Sequence, residues 1–212
     1  MMPYETQVSS VNPRLLILLT DESEESVWVI NRLIDQQIEL NFDGNAPKNR
    51  CFISVIGYNQ GAKELCSGWL KDLVDIPVRN ATKKRITFDG NGLVEMEITI
   101  PVWIEPLKHN ASCNFYSDAI KIARHISEHW VKNNALSPIV LDCSQRCYTK
   151  YALEEIESMK SILAEDGETL FFGCYIEEQS YDNSVFSKIP EVWNCRLNNE
   201  YENKTFNFNN VL

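Results

Sequence analysis

Six consecutive residues, Asp21-Glu22-Ser23-Glu24-Glu25-Ser26, place four carboxyl groups and two hydroxyls directly after the apolar run Leu15-Leu16-Ile17-Leu18-Leu19. Carboxylates and hydroxyls are hard oxygen donors, the ligand type that Mg²⁺ takes in octahedral geometry. The same residues have a plainer use. Asp21 or Ser23 can accept the free N–H groups of a helix that starts beside it, and acids in a first turn favour the helix dipole. Two further groupings carry chemistry. His109-x-x-x-Cys113 and Cys143-x-x-x-Cys147 supply one imidazole and three thiols, the donor types of a tetrahedral zinc site, although the spacing is not that of a common knuckle. The same loops allow a nucleophile, Cys143 or Cys147, beside His109 as base. His125 and His129 are four residues apart on a helical pattern without an evident third ligand, and read as a partly exposed helix face. Gly57-Tyr-Asn-Gln-Gly61 lacks the Lys-Ser/Thr pair of a nucleotide-binding loop.

These residues need elements to hold them. The unbroken apolar run predicts a buried strand at 14–20, and Val27, Ile30, Ile34 and Ile38 recur at helical spacing within a helix at 24–41. Residues 43–47 read as a turn, and 51–58 as a second strand in which Gly57 allows close approach at its end. A short helix is expected at 62–73. Residues 85–88 and 93–100 flank Asp89-Gly90-Asn91-Gly92, which reads as a hairpin, with Pro101-Val102-Trp103-Ile104 as a separate extended segment. Trp103, near the hairpin base, is a candidate partner-binding residue. Helices follow at 117–134 and 151–165, the latter with Leu153, Ile156, Met159 and Leu163 inward, and buried strands at 138–143 and 169–176. Alternating strands and helices predict a three-layer α/β fold, Rossmann-like, with a mostly parallel sheet flanked by helices and a β-hairpin excursion at about 83–100. The expected organisation is an arm at 1–13, one domain at 14–195 and an Asn-rich tail at 196–212, read as disordered in preference to a docking segment.

Composition narrows the partners. The 212 residues carry 30 acids against 20 bases, a net charge of −10, which argues against nucleic acid or an anionic membrane as main partner. Lys83-Lys84-Arg85 is a local exception and reads as a solvated strand start. With neither a leader-like segment nor a run long enough to span a bilayer, the expected location is the cytoplasm. Seven cysteines, an odd number with several in apolar runs, fit reduced thiols better than a disulfide framework, and Cys51 and Cys174 read as small core residues. The sequons at Asn80, Asn110 and Asn203 are then chance matches.

Taken together, LLILLTDESEES at 15–26, CFISVIGYNQGAKEL at 51–65, GLVEMEITIPVWIEP at 92–106, FYSDAIKIARHISEHW at 115–130, PIVLDCSQ at 138–145 and DGETLFFGCYI at 166–176 resemble a von Willebrand factor A domain. The closer resemblance is to the bacterial subgroup found with tellurium-resistance and phosphatase–kinase gene clusters. The resemblance covers about residues 14–176, and its most specific part is the Gly92–Pro106 segment. It implies a divalent cation at the carboxyl end of the sheet, held by an Asp-x-Ser-x-Ser motif with a Thr and an Asp from two later loops. Asp21 and Ser23 match that motif; Glu25 replaces its second serine, with Ser26 one place later. Asn114, or Ser112, stands at the threonine position and Gln145 at the last aspartate, beside Arg146, whose charge would repel a cation. The metal set is thus Asp21, Ser23 and Glu25, with Asn114 and Gln145 on the rim. The implied activity is a non-enzymatic protein-interaction or regulatory module of a bacterial signalling, stress-response or defence system. No cofactor is expected, and divalent-cation binding is expected to be weak or lost. Its partners would be proteins, a phosphatase or kinase of the same cluster among them. Two alternatives stand beside it: a Mg²⁺-dependent ligand-binding module using Asp21, Ser23 and Glu25, and a cysteine-dependent or zinc enzyme.

Overall fold

A computed structural model of the chain describes residues 7–88, 93–107, 115–145 and 152–176. Its centre is a five-stranded sheet in the order β5-β4-β1-β8-β9. The strands are β1 (Arg14–Thr20), β4 (Cys51–Gly57), β5 (Lys63–Trp69), β8 (Ile139–Ser144) and β9 (Leu170–Tyr175). All neighbours are parallel except β5, which runs antiparallel to β4. Among the described residues four helices accompany them: α1 (Glu24–Leu40), α2 (Leu70–Leu73), α3 (Tyr116–Trp130) and α4 (Leu153–Lys160). Two minor strands, β2 (Phe42–Asp43) and β3 (Ala46–Pro47), form the turn expected at 43–47. None of the helices among the described residues is long and apolar enough to cross a membrane.

Central strand β1 is buried along its whole length because both sheet faces are covered. Successive side chains point to opposite faces, so one strand feeds two cores. Leu16 and Leu18 join Val27, Ile30, Ile34 and Ile38 of α1, whereas Leu15, Ile17 and Leu19 join Ala119, Ile120 and Ala123 of α3 and Ile156 and Met159 of α4. This is the mixed α/β architecture with helices on both faces that the strand–helix alternation predicts.

Several boundaries differ from those read in the sequence. The helix expected at 62–73 is mostly the edge strand β5, with helix only at Leu70–Leu73. Leu65 and Cys66 pack partly on the core from the strand, so pairing with β4 decides the conformation against the helical spacing of Leu65 and Trp69. The hairpin strands β6 (Arg79–Phe88) and β7 (Leu93–Val102) pair over ten positions in a separate sheet, and β7 runs on through Pro101 and Val102. α4 is shorter than expected, and Leu153 and Leu163 are 58% and 66% exposed, not inward. The segments 1–6, 89–92 (the expected hairpin turn) and 177–212, with the expected domain end and Asn-rich tail, lie outside the described residues.

Candidate functional site

In a doubly wound sheet the chain reverses direction of travel at one point, and loops leaving the strands there open a crevice at the carboxyl ends. Here β1 lies between β4 and β8, with α1 packed on one face and α3 on the other. The loops after β1 and β8 therefore meet. Asp21 and Gln145 sit on them.

Asp21 is fully buried. Its Oδ1 accepts the Ser23 amide at 3.2 Å and the Ser23 hydroxyl at 2.8 Å; its Oδ2 accepts the Gln145 backbone N–H at 3.0 Å. Ser23 is also the N-cap of α1, its Oγ accepting the Ser26 amide at 3.3 Å, and the Ser23 and Ser26 hydroxyls lie 2.7 Å apart. Since Ser23 gives its proton to Asp21, Ser26 must donate to Ser23, making a chain of hydroxyls directed at the carboxylate. Glu25 reaches the same place from the first turn of the helix: its Oε2 accepts from the Gln145 side-chain Nε2 at 2.7 Å.

Glu22 holds the rim from the other side. It is buried, and its backbone is left-handed at φ 56°, a conformation uncommon for a residue with a Cβ. Its carboxylate accepts the Asn59 amide at 3.1 Å, its carbonyl accepts the Leu107 amide at 3.0 Å, and Asn59 Nδ2 donates to the Asp21 carbonyl at 3.0 Å. Gly57 makes room for this: a Cβ there would lie 2.6 Å from Glu22 Cδ and 2.8 Å from a Leu65 methyl. Close approach at Gly57 is thus a requirement set by Glu22.

Beneath the rim, Asp142 of β8 is buried between two tyrosines. Tyr58 Oη donates to its Oδ1 at 3.0 Å and Tyr116 Oη to its Oδ2 at 2.9 Å; the two rings pack edge to face. Burial, with Asp21 nearby, pushes Asp142 up to about 7, against the opposing pull of the tyrosine hydroxyls and Ser144. Burial next to Asp142 raises Tyr58 well above the ordinary tyrosine range.

Asp21, Ser23, Glu25 and Gln145, grouped in the sequence through the resemblance, lie together. Asn114, with Ser112, His109, Cys113, Arg146 and Cys147, lies outside the described residues. Trp103 needs correction: it is only 3% exposed. Its Nε1 donates to the Leu73 carbonyl at 2.7 Å and its amide to Asn31 Oδ1 at 2.7 Å, so it anchors the hairpin base to α1 and α2 and offers a partner no surface. Cys143 is fully buried and burial raises its thiol, the opposite of an activated nucleophile. Cys51, a buried core thiol, is likewise pushed up to about 12. Cys51, Cys66 and Cys143 are free thiols, and Cys174 is buried as expected. His125 and His129 meet edge to face, their ring centres 4.8 Å apart, on the exposed face of α3, and no metal-holding group of three His, Cys, Asp or Glu occurs among the described residues.

Asn59, Tyr58, Tyr116 and Asp142 went unread as site residues, and Glu22 was read only as one of the possible oxygen donors of the 21–26 run. One signal was present, a lone acid inside the apolar run Pro138-Ile139-Val140-Leu141-Asp142-Cys143. A carboxylate buried in a strand demands donors, and tyrosines at the ends of neighbouring elements are their natural source.

A Mg²⁺ cage needs several oxygens facing one centre. At this rim the lone pairs of Asp21 and Glu25 meet protein N–H and O–H groups, and position 145 presents two N–H donors where a cation needs an oxygen. As arranged, these groups do not fit a preformed cation cage. Comparison of the chain with protein-family models finds none that matches, and comparison with curated proteins likewise finds no match.

Proposed function

We propose that this chain is a non-enzymatic interaction module, working in the cytoplasm of a bacterium within a signalling, stress-response or defence system, and that it binds a protein partner without a divalent cation. One observation carries the reading: Gln145 closes the rim, its backbone N–H on Asp21 and its side-chain amide on Glu25. A rim sealed by its own hydrogen bonds has a fixed polar surface and needs no ion to complete it. The hairpin adds a second surface. It pairs only with itself among the described residues, and Glu95, Glu97 and Thr99 face solvent along β7. The resemblance to von Willebrand factor A domains supplies the class of partner, a phosphatase or kinase from the same gene cluster.

The test is co-purification of the full chain with each product of the neighbouring genes, in Mg²⁺ and again in EDTA. Capture of one such product, unchanged by EDTA, is the expected outcome. Capture lost in EDTA, or capture of none, sinks the reading. A second reading, a Mg²⁺-dependent module, is favoured by the adjacent hydroxyls of Ser23 and Ser26 beside Asp21 and Glu25. Calorimetric titration with Mg²⁺, Mn²⁺ and Ca²⁺ separates the two: the sealed rim gives no binding heat, and heat abolished by Asp21→Ala establishes the second.

A further inference from the structure

We propose that His125 and His129 form a two-ligand site for a divalent transition ion of the Zn²⁺, Ni²⁺ or Cu²⁺ class on the outer face of α3. Residues four apart on a helix stand one above the other, and both histidines are exposed. Their ring centres lie 4.8 Å apart. Neither ring makes a hydrogen bond or an ion pair among the described residues, so its nitrogens are open to a ligand. The opposite face of the helix is buried through Tyr116, Ala119, Ile120, Ala123 and Ser127. The backbone that carries the two rings is therefore fixed by packing, and only side-chain torsions remain to be set when an ion binds.

Imidazole nitrogen suits Zn²⁺, Cu²⁺ and Ni²⁺, whereas Mg²⁺ and Ca²⁺ take oxygen ligands. An ion about 2.0–2.1 Å from one nitrogen of each ring closes a chelate across one helical turn and keeps water in its other positions. Exposed imidazoles turn freely enough to present a nitrogen each to one centre. The neighbouring cations do not oppose this. Arg124 Nε lies 3.3 Å from Glu128 Oε1 and its Nη1 donates to Ser158 Oγ at 3.2 Å, and Lys121 Nζ lies 3.0 Å from Asp118 Oδ1. Lys132, past the end of the helix, is exposed, so water and salt screen it. The site is separate from the carboxyl rim. Counted from Tyr116 beneath that rim, His125 and His129 stand about 14 and 20 Å along the helix. The inference therefore holds whether or not the rim binds a partner.

The test is a titration of the untagged full-length chain with Ni²⁺ at constant pH, the imidazole signals of all three histidines being followed by NMR with His109 as the control. His125→Gln and His129→Gln assign the signals and break the chelate. Both positions are exposed, so neither substitution disturbs the fold. The expected result is that the His125 and His129 signals broaden together, at one midpoint. Each variant weakens Ni²⁺ binding at the remaining ring about tenfold, because the second ligand no longer acts at the high local concentration that the helix gives it. Zn²⁺ competes with Ni²⁺, and an excess of Mg²⁺ does not. Signals of His125 and His129 that respond at different midpoints, a response at His109 alone, single variants that bind Ni²⁺ as tightly as the wild type, or displacement of Ni²⁺ by Mg²⁺ overturns the site.

Discussion

At the amino end of the central sheet the buried acid Asp166 meets a guanidinium, whereas at the carboxyl end the buried acids Asp21, Glu22 and Asp142 meet N–H and O–H groups. Arg14 Nη2 lies 3.0 Å from Asp166 Oδ2, and the Ser137 amide donates to Oδ1 at 2.6 Å. This ties the start of β1 to the segments entering β8 and β9, and its net charge is zero. The rim holds three buried carboxyl groups within one small region, and none of their hydrogen bonds among the described residues comes from Lys or Arg. Buried charge without a counter-charge costs stability, and sites accept that cost where stability alone does not decide the residue. The contrast sets a charge-neutral staple at the amino end against acids at the carboxyl end that are held by hydrogen-bond donors alone.

The sharpest break in this comparison comes at the staple. Asp166→Ala leaves the Arg14 guanidinium buried without a partner and strands the Ser137 amide, so a loss of about 3–5 kcal/mol is expected in urea denaturation. A loss below about 1 kcal/mol would show that water reaches Arg14 and that the two ends are alike. The rim responds to pH in the opposite sense from a paired acid. Asp142 in the folded chain holds its proton up to about 7, against an ordinary value of 3.8, so between those values the folded state binds more protons than the unfolded one. Its contribution to stability is therefore most favourable below pH 4, declines through the window and is fully lost above 7, by up to about 4 kcal/mol. Asp142→Asn should flatten that decline in denaturation curves taken at several pH values. A slope unchanged by the substitution would assign it to other groups.

The difference in legibility between regions follows from the same physics. β1 and α1 were readable because each is specified locally, by an unbroken apolar run and by a stripe at helical spacing. Ser23 as a cap was readable for the same reason. The β5 edge strand was not, because its conformation is dictated by β4, which lies next to it only after folding. Trp103 was misplaced because a sequence shows that an indole follows a hairpin, and not that the Leu73 carbonyl and Asn31 wait for it. At the rim, the residue types at 21, 23, 25 and 145 were visible, but the direction of the Gln145 amide toward Glu25 needs both loops in space.

Smaller substitutions sharpen the account of the rim itself. Gly57→Ala places a methyl against the Glu22 carboxylate and Leu65, so it should displace Glu22 from the Asn59 amide and cost about 1–3 kcal/mol. A neutral result would mean that Glu22 is free to move and does not fix the loop. The smallest expected effect separates two uses of one side chain. Ser23 Oγ accepts the Ser26 amide as the cap of α1 and donates its proton to Asp21. Ser23→Ala removes both and should cost about 1 kcal/mol. Aspartate caps a helix as well as serine does, but at position 23 it would set a second carboxylate against Asp21 with no proton to give. If the donation to Asp21 matters, Ser23→Asp is less stable than Ser23→Ala at pH 7 and recovers as the pH is lowered. If Ser23→Asp instead restores wild-type stability, Ser23 is a helix cap alone, and the carboxyl end loses one of the donors that distinguish it from the staple at the other end.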